Sequence, residues 1–187
     1  MALKATIFKA TLAVADIGRG YYGTHALTLA RHPSETDERM MARLLAFALH
    51  ADPNLAFGRG LSTDDEPALA LADATGAIAT WIDVGLPDER ALRRAAGRAR
   101  GVVVYAYGGR AVDLWWARAG EALRRLPRLS VHAIAPASLA ALAALVERTM
   151  DFTCTIEDGH VFLSGRHAAV TVELSTLHAS GGGARNA

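Results

Sequence analysis

The sequence predicts an α/β domain with one mixed central β-sheet, helices on both faces, an N-terminal β-hairpin and a C-terminal β-meander. Two nearly unbroken apolar runs, VVVYAY at 102–107 and LSVHAIA at 129–135, read as strands covered on both sides, with a helical pattern between them. Three short apolar segments between 55 and 85 are separated by turn signals, the pattern of an antiparallel meander. The chain has 187 residues, 51% of them apolar and 21% charged, which suits one hydrophobic core and excludes collagen-like and acidic disordered classes.

The elements follow in order. Residues 3–15 are apolar and β-branched, turn residues occupy 16–20, and 21–31 is again extended, giving a hairpin. Ser34 is the expected N-cap of a helix over 35–50, with Glu35, Asp37 and Glu38 in its first turn and Met41, Leu44, Leu45 and Ala48 on one buried stripe. LAFGRGL, PALALAD and AIATWIDVG then form the meander. Leu86-Pro87-Asp88 opens a helix over 88–99, a second helix covers 109–125, and a third covers 136–148 with Leu139, Leu142 and Leu145 inward. The ending DFTCTIED, HVFLSG and AAVTVELS alternates as a terminal meander. Residues 1–178 therefore form a single domain, and 179–187 a flexible tail.

The net charge of +1 gives no whole-chain argument for a nucleic-acid or membrane partner. The lone cysteine, Cys154, cannot close an internal disulfide, and the first residues lack both a signal-peptide pattern and a long apolar run. A cytoplasmic protein without membrane association is expected, and its oligomeric state is left open.

Local charge is uneven. Residues 64–89 carry seven acids and no base, whereas 90–128 carry ten arginines against Asp113 and Glu121. An acidic turn can gather a divalent cation, and a basic helix beside it attracts phosphate. The same runs also suit ordinary solvated helix faces.

Within the meander, antiparallel pairing across the turn near Gly76 brings Glu66, at the start of one strand, toward Asp83, at the end of the next; Asp65 can replace Glu66. Asp83 stands in the apolar stretch Trp81-Ile82-Asp83-Val84-Gly85, where a carboxylate is costly unless it is paired or holds a cation. Glu38 falls on the line of Met41, Leu45 and Ala48, at the N-terminal edge of the buried stripe. Glu38, Asp65, Glu66 and Asp83 thus make a hard-oxygen set suited to Mg²⁺ or Mn²⁺. The plainer reading assigns Glu35 and Glu38 to the helix dipole, 64–66 to a turn, and Asp83 to a pair with Arg59 or Arg90.

The stretches MALKATIFKATLAVADIGRGYY, LARHPSETDERMMARLLAFAL, FGRGLSTDDEPALAL, WIDVGLPDERALRRA and VERTMDFTCTIEDGHVFLS resemble the YaeQ family of small bacterial proteins over most of the chain. That resemblance implies the fold of the PD-(D/E)XK nuclease superfamily, with an αβββαβ restriction-endonuclease-like core at about 34–107. Carried over by position, it makes Glu38 the helix acid, with Glu35 as rival, and Asp65 or Glu66 the acid of the second core strand. The (D/E)-x-K element falls on Asp83-Val84-Gly85, where Gly85 stands in place of the lysine. Arg90, Arg93 or Arg94 on the next helix would supply the missing charge, though an arginine stays protonated and cannot act as a base. The implied activity is metal-dependent phosphodiester hydrolysis; the alternative is an inactive relative that binds DNA, RNA or the transcription machinery.

Other chemistries find no motif. The histidines form no H-E-x-x-H pair, the glycines no nucleotide-binding spacing, and Cys154 in an alternating strand reads as a buried thiol. Trp115-Trp116 places one ring in the core and one at an edge or interface.

Overall fold

A computed structural model of the chain describes residues 5–58 and 66–180. The N-terminal hairpin is long: β1 (Thr6–Asp16) and β2 (Tyr21–Arg31) pair antiparallel along eleven residues each. Phe8, Ala10, Leu12 and Val14 of β1, with Leu27 and Leu29 of β2, turn to one side and are buried, as period-two alternation requires. Helix α1 (Asp37–Leu49) follows. Its N-cap is Thr36, which accepts the Arg39 amide at 3.1 Å, rather than Ser34, whose hydroxyl is engaged with His32. The helix starts later than expected, leaving Glu35 outside its first turn.

Strands β3 (Leu55–Phe57), β4 (Leu69–Ala72) and β5 (Ile78–Val84) form the antiparallel meander. Helix α2 (Glu89–Arg98), capped by Asp88 on the Ala91 amide at 2.6 Å, leads to β6 (Gly101–Ala106). Helix α3 (Arg110–Leu123) leads to β7 (Leu129–Ile134). As the covered apolar runs indicate, β5, β6 and β7 are parallel neighbours. Helix α4 (Pro136–Ala143) is shorter than expected because the chain must turn into β8 (Thr149–Glu157), whose first residue pairs with Lys9. Strands β9 (His160–Ser164), β10 (Ala169–Val172) and β11 (Leu174–His178) complete the chain.

The expectation of one central sheet is corrected: the described residues form two mixed sheets. One has the order β10-β9-β8-β1-β2, the other β11-β7-β6-β5-β4-β3. The hairpin does not extend the central sheet. Instead β1 joins β8 in parallel, so the two ends of the chain build a sheet of their own. The last apolar stretch, expected as one strand, divides at Glu173. The Glu173 carbonyl accepts from the Ala135 amide and its own amide donates to Ser138 Oγ, both at 3.0 Å, which sends β11 across to β7.

The main core lies between the sheets and includes α1 and Leu139 and Leu142 of α4; a second core lies under α2 and α3 on the other face of the central sheet. Helices on both faces of that sheet are therefore found as expected. Leu145 is only partly buried. Among the described residues no helix is long and apolar enough to cross a membrane.

Candidate functional site

The carboxyl ends of β5 and β6, the start of β4 and the first turns of α1 converge on one end of the central sheet. Ligands in open α/β sheets favour this end of parallel strands. Asp83 is the penultimate residue of β5. Its Oδ2 accepts the Trp81 indole N–H at 2.9 Å and its Oδ1 accepts the Ala68 amide at 3.2 Å. Burial pushes the Asp83 carboxyl above its ordinary range, against those two hydrogen bonds and the charge of Arg39. Each oxygen keeps further acceptor capacity.

The Ala68 amide ties Asp83 to the segment that carries Glu66. Leu69 is in register with Ile82, so Ala68 falls opposite Asp83, with partly buried Glu66 two residues further on. The two strand ends meet as the turn near Gly76 predicts, but β4 begins at Leu69, so Glu66 precedes the strand instead of opening it. Asp65, the alternative acid, and Arg59, a suggested partner for Asp83, lie outside the described residues. Glu38 is exposed in the first turn of α1. Among the described residues no three histidine, cysteine, aspartate or glutamate side chains gather closely enough to hold a metal ion by themselves.

Beside this carboxylate lies a buried ion-pair cluster. Arg43 grips Glu35 through two hydrogen bonds of 2.8 Å, and Arg39 Nη1 donates to Glu35 Oε1 at 2.9 Å. Glu35 is therefore sequestered by two guanidinium groups rather than held at the helix dipole. Burial lowers the pKa of Arg43, and Glu35 counters that shift. The Arg43 guanidinium also lies over the Phe57 ring, 5.7 Å from its centroid.

Tyr107 follows β6 and is half-buried. Its phenol pKa is raised, chiefly by burial, while the charges of Arg39, Glu35, Glu38 and Arg43 all act on it. Gly85, where the motif's lysine would stand, has φ of +104°, and a side chain there would begin 3.9 Å from Tyr107 Cε1. That backbone conformation disfavours any L-residue with a side chain. Arg93 directs its guanidinium to Glu89 on its own helix, at 2.7 and 2.5 Å, and Arg93 and Arg94 are both exposed. Among the described residues, the arginine charge acting on Asp83 is that of Arg39, from α1.

The YaeQ protein family model matches residues 1–174. The chain belongs to the YaeQ family. "Uncharacterized protein YaeQ" of Salmonella typhi and of Escherichia coli K12 are each 45% identical to it over 175 residues, covering 94% of this chain and 97% of theirs. The crystal structure of YaeQ protein from Xanthomonas axonopodis pv. citri is similar with a TM-score of 0.90 and 48% identity, covering 94% of this chain and 99% of that one. That of YaeQ protein from Pseudomonas syringae also gives a TM-score of 0.90, at 35% identity, covering 94% and 97%. The sequence singles out Asp83 and Glu66 as candidates but not Arg39, Arg43 or Tyr107, which the structure places near them. The spacing Glu35, Arg39, Arg43 was the available signal, since residues four apart share a helix face. Tyr107 closes an apolar run and offers no comparable pattern.

Proposed function

We propose that this protein is a metal-dependent phosphodiesterase acting on DNA or RNA, with Asp83 and Glu66 as its central carboxylates. The observation that carries the reading is the Asp83 carboxylate itself. It is drawn into the end of β5, oriented by Trp81 and the Ala68 amide, and burdened by burial in a way a nearby cation would relieve. Carboxylate oxygens suit Mg²⁺ or Mn²⁺, which one or two carboxylates can hold when water and the substrate phosphate fill the remaining positions. Such an ion supplies Lewis-acid polarisation of a phosphoryl oxygen and a water of lowered pKa.

The chain's own groups fill the remaining roles. Arg39 holds a phosphate oxygen, the task a lysine performs in the (D/E)-x-K arrangement of the resembling superfamily. Tyr107, kept protonated by its surroundings, donates a hydrogen bond to the phosphate. Arg93 and Arg94 extend the attraction for the polyanion along α2. Hydrolysis of single- or double-stranded DNA and RNA with Mn²⁺ tests the reading: activity should appear with the wild type and fall at least about 100-fold in Asp83→Asn. Activity unchanged by that substitution overturns it.

A second reading, binding without turnover, is favoured by Gly85, which leaves the motif without its lysine, and by the arginines on α2 and α3. In that case nucleic acid or the transcription machinery is held through the arginines. Replacing Arg93 and Arg94 together should then flatten the salt dependence of DNA or RNA binding while no hydrolysis is seen.

A further inference from the structure

The five-stranded sheet buries one face against α1 and α4 and leaves the other to solvent. Along its strands the outward positions carry mainly threonine and alanine, with formal charge confined to Lys9, Asp151 and Glu157. Three of the six large apolar side chains exposed among the described residues lie on this face: Ile7, Tyr22 and Phe162, at 46%, 69% and 43% exposure. A hollow of about 280 Å³ opens in it, bordered by Lys9, Thr11, Ala26, Thr28 and Thr149.

We propose that this face is a dimer interface, covered by the same face of a second copy of the chain. Size supports the assignment. Five strands about 4.8 Å apart, from 4 to 11 residues long, present on the order of 600 Å². That meets the low end of the roughly 600–1,000 Å² a stable interface needs from each partner. Short side chains let two sheets approach to about 10 Å, as in a β-sandwich.

Charge selects a second copy over a nucleic acid, because Lys9 is the one formal cation on these outward strand positions and two acids accompany it. The register of β1 with β8 pairs Lys9 with Thr149 and Thr11 with Asp151, so Lys9 and Asp151 are diagonal neighbours. A two-fold axis lying between the sheets and crossing the Lys9–Asp151 line at right angles sets each Lys9 against the other copy's Asp151. A self-complementary interface requires that reciprocity. Asp151 accepts Arg166 Nη2 at 2.8 Å through Oδ2, leaving Oδ1 for the lysine.

Sedimentation of the full chain tests the proposal. At about 200 µM the wild type should sediment at twice its 19.8 kDa mass. Ala26→Arg, at an exposed position, should weaken association at least about 100-fold without moving the urea midpoint, whereas Arg118→Glu on α3 should leave it unchanged. Lys9→Glu should weaken it about tenfold or more, and adding Asp151→Lys should restore it. A monomeric wild type, a dimer indifferent to Ala26→Arg, or a charge swap that fails to restore association would overturn the proposal.

Discussion

Arg43 holds both oxygens of Glu35 at 2.8 Å, one through Nε and one through Nη2, with the two side chains 2% and 0% exposed. This bidentate pair anchors the segment before α1 to the helix, and Glu35 in turn holds Arg39, whose charge acts on Asp83. Removing the acid leaves Arg43 buried with no counter-charge, which costs about 3–5 kcal/mol. Glu35→Met should therefore destabilise the protein by that amount in urea unfolding, and Arg43→Met by less, because Arg39 still pairs with Glu35. Arg93→Ala, which breaks the exposed pair with Glu89, should cost about 1 kcal/mol or less.

The stability of the Asp83 region should depend on pH with a defined sign. Burial raises the folded-state pKa of Asp83 above its unfolded value. The native state therefore favours the protonated acid, and the associated stability is full below the unfolded pKa and lost as pH rises through the folded one. Asp83→Asn cannot ionise. Its stability relative to wild type should improve steadily from pH 4 toward neutrality in paired urea titrations. Saturating Mn²⁺ should shrink that improvement by favouring the wild-type carboxylate.

His50 carries the opposite sign. Its Nε2 lies 2.7 Å from the Tyr105 hydroxyl, and burial, with help from Arg19 and His132, lowers its pKa to about 4. A lowered histidine contributes stability that is full above its unfolded pKa of about 6.5 and lost as pH falls toward the folded value. The wild type should lose about 3 kcal/mol from this group between about pH 6.5 and 4. His50→Gln should flatten that part of the stability curve.

Restoring the motif's lysine should not help. At Gly85 the φ of +104° penalises any side chain. Gly85→Lys should lower stability by about 1–3 kcal/mol and leave phosphodiester hydrolysis no higher than wild type. Thermal unfolding alongside the hydrolysis assay checks both.

Legibility in the sequence followed the range of the interactions. Strands β5, β6 and β7 could be read because their apolar runs are local signals of burial on both faces. The separate sheet could not, because nothing within β1 states that its partner is β8, more than a hundred residues away. At the site, Asp83 stood out because a carboxylate in Trp81-Ile82-Asp83-Val84 conflicts with its neighbours. Arg39 and Arg43 did not, since an arginine on an amphipathic helix looks solvated until a buried acid is found beneath it. Glu35 was visible as a rival to Glu38, but its guanidinium partners were not.

Anomalous diffraction from a crystal soaked in Mn²⁺ most directly tests whether the end of β5 is a metal centre. A peak is expected about 2.0–2.3 Å from an Asp83 oxygen, shared with Glu66 and absent in Asp83→Asn. No peak beside Asp83 at full Mn²⁺ saturation, with its carboxylate still held only by Trp81 and Ala68, would contradict it.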